Sequence, residues 1–269
     1  MDRELIDRII QYEETYKICL NYGTPKIIRV DMRAGKTFTK ELQKPFDKIF
    51  SSAMIETMKS LCSAIPGAKI GYTQSDEISI VIKDVNKENQ EVAFFNNSLT
   101  KIVSNVASMA TLFFNINWDN AVFEFCKDNG IDINDAKING KKYEVLQPYF
   151  DRHLCGLFDC RYFELSNEDE IANYLQYRQE DCYRNSVNQI ARTNFTQTEL
   201  NKISTEDKIK MLENAGIPLN QFPLKYFKGE ICYKVPEERN GVQRFTWKAE
   251  NAPNFYNNVL FVKGLYKGE

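Results

Sequence analysis

Two periods of apolar spacing run along this chain, one near 3.6 and one of 2. Residues 2 to 20 place Leu5, Ile9, Ile10, Tyr16 and Cys19 at mixed three-and-four spacing behind acidic residues, which predicts an amphipathic helix packed before the first strand and ended by Gly23 and Pro25. Ile27 to Val30 reads as a short strand ending in Asp31, and Asp31 to Lys36 opens a loop. Pro45 then begins a helix with Phe46, Ile49, Phe50, Met54, Ile55, Met58 and Leu61 on its apolar face, stopped by Pro66-Gly67. The stretch Ile70 to Ile82, IGYTQSDEISIVI, alternates apolar and polar residues on both sides of Ser75-Asp76-Glu77 and predicts a β-hairpin with adjacent carboxylates at its bend. A long helix over 92 to 115 and a strand over Leu157 to Leu165 follow.

The resulting order, β-α-β-β-α-β, predicts an α+β fold: a ferredoxin-like, palm-type antiparallel sheet with helices on one face, over residues 1 to 165. Residues 166 to 269 read as an appendage packed on that unit, the two together forming either two domains or one continuous one. The appendage is predicted to hold helices over 168 to 194 and 205 to 215, a closing hairpin of 230 to 235 with 243 to 248, and one more strand within Asn254 to Lys263.

Composition changes this picture little. With 269 residues, 43% hydrophobic and 13% aromatic, the chain has material for a sizeable core. No apolar run approaches the roughly 20 residues that span a bilayer, the N-terminus is charged rather than signal-like, and seven scattered cysteines suit reduced thiols, so a cytoplasmic protein is expected. A net charge of -2 gives no global polyanion-binding signature. Any such partner would meet local patches, with candidates Lys137, Lys141 and Lys142, then Arg178, Arg184 and Arg192, then Lys225 and Lys228.

Candidate chemistry concentrates on acids. Asp31 and Asp76 end two strands, and two carboxylates delivered to one end of a sheet suit a pair of Mg²⁺ ions about 3.5 to 4 Å apart. Glu77 faces away from Asp76 in a regular strand, so it either braces the site or binds metal itself. His153, Cys155 and Cys160 lack zinc spacing and a fourth ligand, and no Ser-His-Asp set or phosphate-binding glycine loop is present. Phe94, Phe95, Phe113 and Phe114 sit at helix spacing and read as core rather than as stacking platforms for bases.

Three blocks carry a family likeness. Arg29-Val30-Asp31-x-Arg33, Lys44-Pro45-x-Asp47 and Tyr72-x-Gln74-Ser75-Asp76-Glu77-x-Ser79 resemble, in order and spacing, the R-[LIV]-D-G-R, K-P-N-D and Y-G-Q-S-D-E-x-S blocks of the tRNA-histidine guanylyltransferases and their Thg1-like relatives. Lys101 within KIVSNVAS, Phe158-Asp159-x-Arg161 and Tyr174 to Cys182 resemble later blocks. The chain departs from the pattern at Met32, at Gly35-Lys36, at Phe46 and at Tyr183-Arg184-Asn185-Ser186, where only Asn185 survives of the family's H-I-N-N.

The resemblance implies a template-dependent 3′-to-5′ nucleotidyltransferase that extends the 5′ end of tRNA or 5′-truncated tRNA, using two Mg²⁺ ions, nucleoside triphosphate substrates and ATP or GTP as activator. It implies metal ligands Asp31, Asp76 and the Met32 carbonyl, with Glu77 as a further acid. Triphosphate contacts fall to the backbone of Arg33, Ala34, Gly35 and Lys36, to Ser75, and to Lys44 and Lys101, with Asp47 on the base. Arg178, Arg184 and Asn185 would meet RNA, and a homotetramer is implied. Three other readings stay open: a guanylyltransferase adding one 5′ guanosine, a nucleotidyl cyclase, and an inactive tRNA-binding module.

Overall fold

The computed structural model of the chain describes residues 2–84, 93–138, 140–239 and 241–268. Residue 92 of the helix predicted over 92 to 115, and the side chains of Lys141 and Lys142, lie outside that description. The elements are α1 (Arg3–Glu14), β1 (Lys26–Met32), α2 (Gly35–Phe38), α3 (Lys48–Ala64), β2 (Ala68–Gln74), β3 (Glu77–Ile82), α4 (Leu99–Asp128), α5 (Ile133–Ile138) and α6 (Gln147–Phe150). They continue as β4 (Phe158–Glu164), α7 (Asp169–Asn194), α8 (Thr205–Asn214), α9 (Lys225–Lys228), β5 (Glu230–Arg239), β6 (Val242–Asn251) and α10 (Val259–Lys267).

Among the described residues six strands form one antiparallel sheet in the order β4-β1-β3-β2-β5-β6. The mixed helix and antiparallel-sheet architecture is therefore the one expected, with the C-terminal hairpin joined to the same sheet through β2 and β5. That hairpin is longer than its apolar pattern suggested, because cross-strand pairs continue from Glu230↔Asn251 out to Arg239↔Val242.

Helices cover both faces of the sheet, which corrects the expectation of one. On one face Ile28, Val30, Ile78 and Ile80 pack against α3 and α4 through Met54, Met58, Ile102 and Phe114. On the other, Ile27, Ile70, Tyr72 and Val81 pack against Ile171 and Leu175 of α7 and Val262 and Tyr266 of α10. The reason is in the strands: β3 is buried at every position, and a strand apolar on both sides needs a layer on each. Residues 254 to 263 accordingly supply part of that second layer as a short turn and α10 rather than a strand.

Three further expectations are corrected. α1 forms but none of its residues is buried, so its stripe of Leu5, Ile9 and Ile10 stays uncovered within the single chain. Over its 30 residues α4 is long and apolar enough, by length and composition alone, to cross a membrane. Here its buried stripe, Ile102, Val106, Ala110, Phe114 and Trp118, packs into the core. Phe94 and Phe95 lie in a turn before α4, and Phe95 is exposed, whereas Phe114 is core.

An aromatic cluster sets the end of the sheet that matters for chemistry. Trp118, fully buried, stacks on Phe114 and Tyr149 and meets the edge of Phe38 at 5.1 Å, and its indole N–H donates to the Tyr149 carbonyl. Phe38 closes α2, and its carbonyl accepts from the Arg152 guanidinium, so the loop after β1 is held from below by apolar contact and from the side by a charge-assisted bond.

Candidate active site

β1 ends where the β2–β3 hairpin turns. Gln74 pairs with Glu77 across the hairpin, which leaves Ser75 and Asp76 as a two-residue bend, with Ser75 at φ 50. The Met32 amide donates to the Asp76 carbonyl at 3.0 Å, tying the end of β1 to that bend. Gly35 lies so close that a Cβ built on it would stand 1.9 Å from Asp76 Oδ2. The Asp76 carboxylate thus rests on bare backbone, a seat only glycine offers.

Asp31 stands in register with Glu77 on one side and Asp159 on the other, so three acids form a row across β4, β1 and β3. The next row on the same face is Arg161, Arg29 and Ser79. Like charges directly opposed repel, and the arginine row offsets them. Burial, then the charge of Asp76, raises the pKa of Asp31, while Arg29 lowers it. Asp159 acts in the same direction as Asp76, an influence the D-x-R of β4 foreshadows, because read antiparallel it mirrors the R-x-D of β1.

These residues fit hard divalent cations. The donors are carboxylate and carbonyl oxygens, and Asp31 and Asp76 are close enough for one to resist ionisation of the other, a repulsion that a cation would relieve. Among the described residues no group of three or more His, Cys, Asp or Glu side chains is arranged to hold a metal ion. Of the residues weighed for zinc, His153 pairs with Asp119 at 2.8 Å, and Cys155 and Cys160 are free thiols.

A cleft of about 770 Å³ opens beside Asp76. One wall is the loop of Gly35, Lys36, Lys40 and Lys44 with α3, the floor is Thr73 to Asp76, and the other wall is Asn185 to Thr193 of α7 with Lys225 and Tyr226. Of the predicted residues it gathers Gly35, Lys36, Lys44, Asp47, Ser75, Asp76 and Asn185. It adds residues that the acid-centred reading missed: Gln189 and Arg192 from α7, and Tyr226, whose ring stacks on Phe46 at 4.1 Å. Arg192 and Lys225 stood in the sequence as members of candidate polyanion-binding patches, with nothing to link them to the acids. What brings them to Asp76 is the packing of α7 and α9 against each other, which local sequence spacing does not report.

Several nominated residues are placed elsewhere. Glu77 faces α7, 3.2 Å from Arg178 and 3.5 Å from Arg29, and burial pushes its pKa up to about 7 although both arginines pull it down. Its carboxylate is taken up by the two arginines, and it does not line the cleft that Asp76 lines. Arg178 is buried against Glu77 and Asp181, which corrects the expectation that it meets RNA, while Arg184 is exposed and pairs with Asp181 at 3.0 Å. Asp47 lines the cleft and also caps α3: its oxygens accept from the Phe50 and Gln43 amides and the Tyr149 hydroxyl. The Arg33 amide donates to the Leu157 carbonyl, leaving it unavailable to a phosphate, and Ala34 serves as a left-handed cap before α2.

Lys101 is corrected by distance. Thr111 of α4 accepts from the Phe158 amide, opposite Met32, and Lys101 lies ten residues back, about 15 Å along the helix and exposed. Its neighbours are at the other end of the sheet, where Asn97 bonds Asp84 and Tyr162.

Paired carboxylates at a sheet end, beside a cleft walled by cations, define the site of a nucleotidyl-transfer enzyme. The chain belongs to the Thg1 family, described as tRNAHis guanylyltransferase, whose model matches residues 6–166; its members are nucleotidyltransferases that act on tRNA. Among solved structures it is similar to a bacterial tRNA(His) guanylyltransferase (Thg1)-like protein in complex with ATP, at 31% identity and a TM-score of 0.77 over 97% of this chain and 98% of that one. The bacterial Thg1-like protein in complex with GTP matches at 30% identity and a TM-score of 0.75, over 98% and 99% of the two chains. By sequence it is 27% identical to the uncharacterized protein R259 of Acanthamoeba polyphaga mimivirus, over 94% of this chain and 86% of that protein. It is 24% identical to the tRNA(His) guanylyltransferase of Schizosaccharomyces pombe, over 91% and 85%.

Proposed function

We propose that this protein extends tRNA at its 5′ end in the 3′-to-5′ direction, selecting each nucleotide by pairing with a template strand. The observation that carries the reading is the cleft beside Asp76, lined by Lys36, Lys40 and Lys44 from the loop before α3 and by Arg192 and Lys225. Several cations gathered in one cleft with Asp76 suit a triphosphate tail. The ATP and GTP complexes of the bacterial Thg1-like protein support nucleoside triphosphates as ligands here. The first four strands, ordered β4-β1-β3-β2 with α3 and α4 on one face, support a palm-type core.

Asp31, Asp76 and the Met32 carbonyl would hold two Mg²⁺ ions. Such ions, when bound, lower the pKa of an attacking hydroxyl and neutralise charge on departing pyrophosphate. The chain's own residues then have distinct duties. Gly35 seats the Asp76 carboxylate. Ser75 presents its hydroxyl from the bend, and Lys44, whose pKa burial lowers, stands beside Thr39, donating to its carbonyl at 2.6 Å. Asn185 and Arg192 offer the α7 wall to the RNA end. Loss of the H-I-N-N block at Tyr183 to Ser186 favours templated extension over dedicated addition of a single guanosine.

The test is to incubate 5′-labelled, 5′-truncated tRNA with the four nucleoside triphosphates and Mg²⁺. Complementary nucleotides should join the labelled end, and changing the opposing base should change the nucleotide added. Growth at the 3′ end, one guanosine added whatever the opposing base, or cyclic nucleotide formed without RNA would each replace the proposal.

A further inference from the structure

The acid row at Asp31 is anchored from outside the strands that bear it. Arg178, in α7, donates to Asp181 at 2.9 Å and to Glu77 at 3.2 Å. Beyond Glu77 the contacts lengthen: Arg29 stands 3.5 Å from Glu77 and 3.8 Å from Asp31. Arg29 Nε, Glu77 Oε1 and Arg178 Nε are all buried without a hydrogen-bond partner. The chain of charges is therefore tight at α7 and slack at β1, so Arg29 stands where Glu77 puts it and Glu77 stands where Arg178 holds it.

Asp31 gains from that hold, because Asp76 and Asp159 stand near it with charge of its own sign and Arg29, ahead of Arg161, draws it the other way. We propose that Arg178 is a positioning residue for the Asp31 carboxylate, acting through Glu77 and Arg29, and that its second arm, on Asp181, fixes the α7 wall of the cleft relative to that carboxylate. Arg178 lies beyond residues 6–166, the part matched to the family, so α7 completes a site whose acids all come from the sheet. The fork of a guanidinium can hold Glu77 and Asp181 at once; an ammonium is a single point of charge and holds one. The inference rests on the nucleotidyl-transfer reading for its rate measurement and on metal binding for an independent one.

The experiment measures Mn²⁺ binding by electron paramagnetic resonance on the full chain without RNA, and kcat and KM for nucleotide addition. Arg178→Lys should fold, lose about 10- to 100-fold in Mn²⁺ affinity and in kcat, and keep KM for the nucleotide within about threefold. A purely structural role would lower the melting temperature without that split. The double variant Glu77→Gln with Arg178→Met removes both charges together, which protects the fold, and should bind Mn²⁺ as weakly. Wild-type Mn²⁺ affinity in either folded variant, or no Mn²⁺ binding by the wild type, overturns the inference. A wild type that adds no nucleotide to tRNA while Arg178→Lys still loses Mn²⁺ overturns the functional reading and leaves this one standing.

Discussion

Replacing Gly35 by alanine separates the site from the fold more cleanly than any other single change. The new methyl would lie 1.9 Å from Asp76 Oδ2, 2.9 Å from its Cγ and 3.2 Å from its Cβ, with nothing else among its three nearest atoms. Ordinary contact begins near 3.4 Å, so the carboxylate oxygen must retreat by about 1.5 Å. The fold tolerates this: the moving atom ends a flexible side chain, Gly35 does not occupy the left-handed region, and alanine gains about 0.5 to 1 kcal/mol over glycine within a helix. Catalysis does not tolerate it. A misplacement of about 1 Å at a reacting centre costs about 100-fold, or roughly 2.7 kcal/mol of transition-state stabilisation. Nucleotide addition to tRNA by Gly35→Ala should therefore fall at least about 100-fold, while its melting temperature stays within a few degrees of the wild type. A variant that melts normally and adds nucleotides at the wild-type rate would refute the placing of Asp76 at the reaction centre. One that loses both would show that Gly35 serves the fold.

Other outcomes follow from the same geometry. Lys101→Ala should change nucleotide addition by less than about twofold, because an exposed side chain on the far part of α4 has no reach to the cleft; steady-state kinetics checks it. Trp118→Ala should cost about 3 to 5 kcal/mol in denaturant unfolding, since it empties the contact among Phe38, Phe114 and Tyr149, and it should lower activity through the loop that Phe38 ends. For Glu77 the ordinary pKa of 4.5 is raised to about 7 in the fold. Between those values the unfolded chain ionises while the folded one keeps its proton, so stability is fully present below 4.5 and declines as pH rises through the window, by at most about 3 kcal/mol. Glu77→Gln should abolish that part of the slope in unfolding curves taken at pH 4.5, 6 and 7.5, and an unchanged slope would refute the assignment.

Much of this protein could be read from local pattern. Alternation around Ser75-Asp76 made a hairpin, because a period of two leaves no other regular structure able to bury Ile78, Ile80 and Ile82 on one side. The run Arg29 to Asp31 placed its acid at a strand end for the same reason, and the motif blocks tied those two acids to one family. What the pattern could not contain was any relation between distant segments. That helices cover both faces of the sheet depends on where α7 and α10 pack, which their own amphipathic stripes do not say. Asp47 and Arg178 looked like groups for a ligand because they are charged residues within motifs; a helix end also engages Asp47 and Glu77 claims Arg178, since a buried charge must be paired with whatever the fold brings near. Lys101 was assigned by position in a block and excluded by the length of a helix. The chemistry of the acids was thus written in the order of residues, whereas the cations that complete the cleft, Arg192 and Lys225, were chosen by tertiary packing alone.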